Sequence, residues 1–276
     1  MPPSTVETAP ERSGDPLFGV VTGIYLALLA TPLAAFAAVR AGMSGSGVLY
    51  GVVLVTLTVV TGLGWLATAR AAGVDARLGA SAARWLPGIA PAALVLLGFA
   101  SLAATGIAGL LAFFFGMFAM ILGFVLGVMA RTRYAVAATD GVDPDCEFTA
   151  GWPERARRRV LAVAGVLLAV TAAGFVAGLA TNRVWLQTAS QILFPLGIVF
   201  ATAGEERTYV ASSVGVEQRM PVARRLFPWD DFTGYTRTDD AIVLHRPRRI
   251  DFRFALADLD DPDAVERALG ARLSPS

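Results

Sequence analysis

The sequence predicts an all-α membrane bundle of six transmembrane helices, followed by a small β-rich domain. Apolar residues form 55% of the 276-residue chain and charged residues only 16%, which is too apolar for a single soluble core. The charge is also uneven, because 24 of the 45 charged residues lie within residues 204–276. The change of character near Gly204 therefore separates a transmembrane domain, residues 17–203, from a soluble domain, residues 204–276.

Residues 1–16 precede the first apolar run. They are polar and contain Pro2, Pro3 and Pro10, which predicts a disordered tail. They lack the cationic region of a secretory signal peptide, and the apolar run after them is too long for the core of one. We therefore expect an uncleaved first span.

A helix that crosses a membrane needs roughly 20 apolar residues. Residues 89–130 form a 42-residue uncharged run, which as one helix would be about 63 Å long, twice the hydrocarbon thickness. The run therefore predicts two spans with a turn at Thr105–Gly109. The six predicted spans are residues 17–39, 47–69, 89–106, 109–130, 160–180 and 184–203.

The distribution of arginine predicts the orientation. No lysine occurs, so arginine supplies all 23 cationic side chains. With six spans and a cytoplasmic N-terminus, ten of the twelve arginines before residue 204 lie in cytoplasmic segments, and only Arg40 and Arg183 lie outside. Because cytoplasmic loops retain positive charge, we expect a multi-pass plasma-membrane protein with both termini in the cytoplasm.

Polar residues inside the spans are few. The spans contain no Asp, Glu, Arg or His, which argues against a proton relay or a voltage sensor. Gln187, Gln191 and Pro195 share one helix face. This stripe is either the lining of a pore or groove, or a source of interhelical hydrogen bonds, and the second interpretation is favoured.

Small residues four apart predict where helices pack closely. Three such pairs occur, and each lets two helix backbones approach. They are Gly19 with Gly23, Gly123 with Gly127, and Gly174 with Gly178.

The residues that could carry chemistry are sparse. Cys146 and His245 are the only residues of their kinds, which excludes an intrachain disulfide and a Cys/His zinc cluster. A Ser-His-Asp triad would have to use His245, which has no nucleophile elbow nearby. The acidic residues of the loop at 131–159 lack the glycine and glutamate of an EF-hand, so we expect an ordinary solvated loop; they are Asp140, Asp143, Asp145 and Glu147. We therefore expect no enzyme, no metal and no cofactor, and the net charge of +1 gives no reason to expect nucleic acid.

The soluble domain is patterned as strands followed by one helix. Ile250, Phe252 and Phe254 alternate with charged residues, which is typical of a strand with one buried face. Further strands are expected at Val214–Met220, Phe232–Thr238 and Ile242–Leu244. Asp261 and Pro262 predict a helix start, and the helix has an apolar face formed by Val265, Ala268, Leu269 and Leu273. A bent antiparallel sheet capped by a C-terminal helix is the expected fold.

This order of elements, together with the segment RLFPWDDFTGY at Arg225–Tyr235, resembles the bacterial and archaeal PH-like domains. The resemblance covers about the last quarter of the chain. It implies a membrane-anchored module, of a kind often fused to transmembrane helices. Because some seventy residues are short for a seven-stranded version, a strand is expected to be missing or abbreviated.

The leading hypothesis is a non-enzymatic integral membrane protein whose cytoplasmic PH-like module acts as a scaffold or regulator. The module would bind anionic lipid headgroups, a protein partner or a second copy of itself. Its candidate binding residues are arginines, which neighbouring aspartates would partly neutralise: Arg224, Arg225, Arg246, Arg248 and Arg249. The alternative is a small-solute transporter or channel that uses Gln187 and Gln191, with the tail as a regulatory domain.

Overall fold

The computed structural model describes residues 15–43, 45–71, 73–202 and 205–275, without the side chains of 102–105 and 192. Residues 1–14 of the predicted tail, and the predicted boundary at Gly204, lie outside the described residues. The chain divides into two compact units, one ending at Asp140 and one beginning at Gly141. Each unit contains helices, so this division differs from the predicted one at Gly204.

Six helices of the described chain are long and apolar enough to cross a membrane, as the sequence predicts. They cover residues 16–40, 46–70, 82–101, 107–139, 154–180 and 184–202. Four belong to the first unit and two to the second.

The first unit is entirely helical in its described residues. The longest helix, α6, packs against α1, α3, α4 and α5, and α1 also packs against α2. Asp15 caps α1 through a 3.0 Å hydrogen bond from the Leu17 N–H and forms an ion pair with Arg133 of α6. The helices are α1 (Pro16–Arg40), α2 (Ser46–Arg70), α3 (Val74–Ala80), α4 (Leu86–Ile89), α5 (Ala92–Thr105) and α6 (Ile107–Thr139).

The long apolar run turns where the sequence predicts. Gly106, with φ of +53°, separates α5 from α6, and glycine adopts such a φ without a steric penalty. The fourth span is longer than predicted, since α6 continues past residue 130 to Thr139. Its 33 residues extend over about 50 Å. Hydropathy ends the span at Arg131, but the segment after it is rich in helix-forming alanine and arginine.

Two of the predicted glycine pairs lie at close contacts between consecutive long helices. A Cβ atom on Gly23 of α1 would lie 2.4 Å from the carbonyl oxygen of Thr61 in α2. A Cβ atom on Gly178 would lie 2.9 Å from the backbone nitrogen of Gln187. Only glycine permits these approaches, which confirms the packing role predicted for both pairs.

The second unit is a β-domain interrupted by a helical hairpin. The chain forms β1 (Pro144–Ala150), leaves the sheet to form α7 (Glu154–Ala180) and α8 (Val184–Thr202), and returns as β2 (Arg207–Ser212). The remaining elements are β3 (Gly215–Met220), β4 (Ala223–Pro228), β5 (Gly234–Arg237), β6 (Ala241–His245), β7 (Phe252–Ala255) and α9 (Pro262–Gly270). One sheet has the order β1-β2-β3-β4 and the other β5-β6-β7, with antiparallel pairing throughout.

The prediction of a solvated loop around Asp140–Glu147 is wrong, because Pro144–Ala150 forms the edge strand β1. Phe148 and Ala150 are buried and alternate with exposed Glu147 and Thr149, which is a strand pattern. The acidic residues at the start of β1 favoured the interpretation as a loop. The partner strand β2 begins 57 residues after β1 ends. Local sequence therefore gave little indication of the pairing.

The core of the β-domain is aromatic and is closed by α9. Phe148 of β1 stacks on Tyr209 of β2 at 5.7 Å between ring centroids and meets Phe254 of β7 edge-on at 5.1 Å. Val265 and Leu269 of α9 complete the same core. The Asp261 carboxylate accepts a 2.9 Å hydrogen bond from the Ala264 N–H, so the predicted helix start and N-cap are confirmed. The helix ends at Gly270, and Leu273, predicted on its apolar face, packs against the core from beyond it.

The four predicted strands of this domain are present as β3, β5, β6 and β7. Ile250, predicted to begin the last strand on its buried face, instead precedes β7 and is 80% exposed. The strands β1, β2 and β4 were not predicted. They bring the total in the described domain to seven, so the expectation of a missing strand overlooked the one that precedes the hairpin.

Candidate functional site

The turn between β6 and β7 holds three of the five candidate arginines. We call residues Arg246–Asp251 the cationic turn. Pro247, Arg248, Arg249 and Ile250 are all exposed. Arg248 has φ of +59°, a left-handed conformation that is uncommon outside glycine and persists only where surrounding structure holds it.

Arg246 anchors the turn in the domain. Its side chain is only 9% exposed, and its guanidinium carbon lies 5.1 Å from the Phe227 ring centroid and 5.2 Å from that of Phe252. Asp231 lies 3.6 Å from the guanidinium. Burial lowers the pKa of Arg246, and stacking on aromatic faces compensates part of the desolvation of its charge. Arg246 is therefore a structural residue, not an exposed ligand contact.

Asp251 fixes the other side of the turn. Its carboxylate accepts a 2.9 Å hydrogen bond from the Arg246 N–H and lies 3.2 Å from His245 Nδ1. His245 Nε2 lies in turn 2.8 Å from the hydroxyl of Thr236. The backbone hydrogen bond from Arg246, more than the histidine, lowers the pKa of Asp251. The hydroxyl, imidazole and carboxylate thus form a chain that ties β5 and β6 to the turn, which presents Arg248 and Arg249 to solvent in a defined conformation.

Arg224 and Arg225 lie in β4 and belong to a different environment. Arg224 is 3.5 Å from the Glu217 carboxylate, and Arg219 lies 2.9 Å from the same group. Glu217 is only 1% exposed, so the two guanidiniums compensate a buried negative charge. Arg225 lies opposite Gln218 in the register of β3 and β4. The five candidate arginines therefore do not form one patch.

The two glutamines of the predicted polar stripe also differ in environment. The side chain of Gln187 packs on α7, since its Cγ lies 2.8 Å from the position that a Cβ on Gly178 would occupy. Gln191 is exposed one turn later. Gln187 thus has a helix-packing contact with α7, while the interhelical hydrogen bonds expected of the stripe stay a prediction.

The acidic residues around β1 are paired with arginines. Asp145 lies 3.4 Å from Arg272 and Glu147 lies 3.4 Å from Arg219. Burial raises the pKa of the Cys146 thiol between them. Within the described residues, no three His, Cys, Asp or Glu side chains are grouped so that they could hold a metal ion.

The fold therefore defines a class of protein: six helices of membrane-spanning length and a seven-stranded domain into which two of those helices are inserted. Comparisons with protein-family models, with curated proteins and with solved structures find no match. Sequence reasoning located Arg248 and Arg249, but it missed the supporting roles of Thr236, His245 and Asp251. His245 directly follows the apolar residues Ala241–Leu244, which could have indicated a position at the end of a buried strand, but not its partners.

Proposed function

We propose that this protein is a multi-pass membrane protein whose β-domain is a cytoplasmic PH-like module that binds a protein partner without catalysis, as a scaffold or regulator. One observation carries the proposal: a β-domain interrupted by a membrane-length hairpin holds an exposed pair of arginines in a fixed turn. The ten-to-two arginine bias supports a cytoplasmic location for the domain. Two sheets of four and three antiparallel strands, closed by a C-terminal helix, support the PH-like assignment.

The connections to the hairpin support a module held close to a membrane. Only three residues separate β1 from α7, and four separate α8 from β2. Four extended residues reach at most about 14 Å. The Gly151 carbonyl also accepts a 3.1 Å hydrogen bond from the Ala255 N–H, which joins the first connection to the second sheet. A module held there would bind partners at the membrane surface.

The position of the cationic turn favours a protein partner over the protein's own bilayer. β4 runs from Ala223 to Pro228, and antiparallel pairing places Ala223 at the end of the sheet where the hairpin is attached. Arg246 stacks on Phe227, near the opposite end of β4. Six residues of strand extend over about 20 Å. A partner with an acidic surface would match Arg248 and Arg249 in charge.

The transport alternative has weaker support. Gln187, the main candidate for lining a pore, packs on Gly178 of α7. Packing of this kind stabilises the association of helices. Solute flux in proteoliposomes that is lost in a Gln187→Leu, Gln191→Leu variant would favour the transport alternative over the module.

Binding is tested by photo-cross-linking in native membranes, with a photoreactive residue in place of the exposed Ile250 of the full chain. We expect a protein adduct that is lost in an Arg248→Glu, Arg249→Glu variant. The control variant, Arg253→Glu with Arg267→Glu, reverses the same amount of charge at other exposed positions of the domain and should retain the adduct. Arg246 stays unchanged because its side chain is part of the core.

Two results would contradict the proposal. Adducts with lipid alone, or a protein adduct indifferent to the charge of the turn, would exclude the cationic turn as a protein-binding site. A fluorescent-protein fusion after Ser276 tests the location separately, since it should fluoresce only if the C-terminus is cytoplasmic.

A further inference from the structure

The turn between β3 and β4 exposes the apolar residues Pro221 and Val222. Val222 is 93% exposed, the highest value among the large apolar side chains of the described chain. Gly, Pro, Asn, Asp and Ser dominate β-turns, so Pro221 is an ordinary turn residue and Val222 is not. A valine side chain that stays in water also lacks the free energy that its burial would contribute. Burial of Val222 against another apolar surface would therefore be favourable.

The strand register places this turn at the end of the sheet where the hairpin is attached. Ala150, the last residue of β1 before the hairpin, pairs with Arg207, the first residue of β2 after it. Thr208 pairs with Arg219, so Met220, the next residue along β3, lies beside Arg207. Adjacent strands are about 4.8 Å apart, so the β3–β4 turn begins within about 10 Å of both connections to the hairpin.

The end of α8 is close to the same point. The Arg207 guanidinium donates a 3.2 Å hydrogen bond to the carbonyl of Thr202, the last residue of α8. The apolar turn therefore lies about one strand spacing from the point where the chain leaves a helix of membrane-spanning length.

We infer that the β3–β4 turn, with Val222 at its tip, inserts into the headgroup–acyl boundary of the membrane and fixes the orientation of the β-domain on it. The inference rests on the proposed membrane location of α7 and α8. Apolar groups at an interface penetrate about 5–10 Å into this boundary. Arg219 and Arg224 flank the turn, and their long aliphatic stems add apolar surface beside its tip.

The contact is primarily apolar, not a recognition of anionic lipid. Arg219 and Arg224 are already paired with Glu217. Asp239, in the turn between β5 and β6 of the other sheet, lies at the same end of the domain, because it lines a groove with Pro153, just before α7. The mixed charge gives this end no strong preference for acidic lipid, and the docking is therefore expected in a zwitterionic bilayer.

The test measures the depth of single positions in the full chain. A Cys146→Ser background receives one cysteine at a time, labelled with an environment-sensitive dye, in phosphatidylcholine nanodiscs that contain lipid with a spin label on the acyl chain. Val222→Cys is the test position. Val170→Cys, near the middle of α7 and 60% exposed, is the bilayer control. Ser213→Cys, exposed in the turn between β2 and β3 at the opposite end of the same sheet, is the aqueous control.

We expect quenching of the dye at residue 222 to be several-fold stronger than at residue 213, with a blue-shifted emission, and weaker than at residue 170. Quenching at 222 no stronger than at 213, with residue 170 strongly quenched, would overturn the inference and leave the membrane proposal intact. Absence of quenching at residue 170 would overturn the membrane location of α7, and with it both proposals. Because Val222 and Ser213 are exposed, neither substitution removes a core contact.

Discussion

The hairpin α7–α8 interrupts the β-domain, so we predict that the domain folds without the hairpin but not without β1. One fragment, called the joined fragment, covers residues 141–276, with residues 152–206 replaced by a Gly/Ser loop of about four residues. Such a loop suffices because paired residues on antiparallel strands lie about 5 Å apart and Ala150 pairs with Arg207. The second fragment, residues 205–276, has the same sequence after the hairpin but lacks β1.

The expected loss follows from what β1 buries. Phe148 is 8% exposed and contacts Tyr209 and Phe254, and truncation of a core phenylalanine costs about 3–5 kcal/mol. Ala150 is also buried, and removal of the strand leaves the hydrogen-bonding edge of β2 open. A domain of about 80 residues has a free energy of unfolding of about 4–12 kcal/mol, so loss of β1 removes most of it.

Urea titration followed by circular dichroism measures the result. The joined fragment should unfold in one cooperative transition, and residues 205–276 alone should show none. Phe148→Ala in the joined fragment should lower its free energy of unfolding by about 3–5 kcal/mol. The reasoning is refuted if residues 205–276 unfold cooperatively at the same midpoint as the joined fragment, or if the joined fragment fails to fold.

Three further predictions concern other contacts. In the joined fragment, Leu269→Ala should lower the free energy of unfolding by about 2–5 kcal/mol, because Leu269 is fully buried, whereas Arg267→Ala on the exposed face should change it little. Gly23→Val places a side chain within 2.4 Å of a backbone oxygen of α2 and should lower the melting temperature of the detergent-solubilised protein, whereas Gly62→Ala, which meets no atom within 4 Å, should not. Folding lowers the pKa of Asp251. The Asp251 carboxylate therefore stabilises the fold above the pKa of the unfolded chain, about 3.9, and this stabilisation is lost as pH falls through the lower pKa of the folded state. Asp251→Asn should therefore destabilise the joined fragment at pH 7, and its difference from wild type should shrink on acidification.

Each of these has an outcome that contradicts it. Equal losses for Leu269→Ala and Arg267→Ala would mean that α9 is not packed on the sheet. An unchanged melting temperature for Gly23→Val would exclude close contact between α1 and α2. A stability difference for Asp251→Asn that is the same at neutral and acid pH would show that the carboxylate charge does not hold the cationic turn.

Hydropathy located six helices because a long apolar helix satisfies its own backbone hydrogen bonds, and its signal is therefore contained in one continuous segment. The same holds for α9, whose cap and apolar face lie within twelve residues of each other, and for the turn at Gly106. The strand pattern of β6 and β7 is likewise local. These features required no knowledge of distant parts of the chain.

Only the tertiary structure decided which segments complete the β-domain and what its arginines do. β1 belongs to the sheet because it pairs with β2, which follows the hairpin in the chain. No local signal specifies that pairing. Arg246, Arg248 and Arg249 are nearly adjacent in sequence, yet the first is buried among aromatic rings and the others are exposed. Side-chain environment depends on the packing of distant elements, so sequence alone predicts that a cluster exists but not which of its members are exposed.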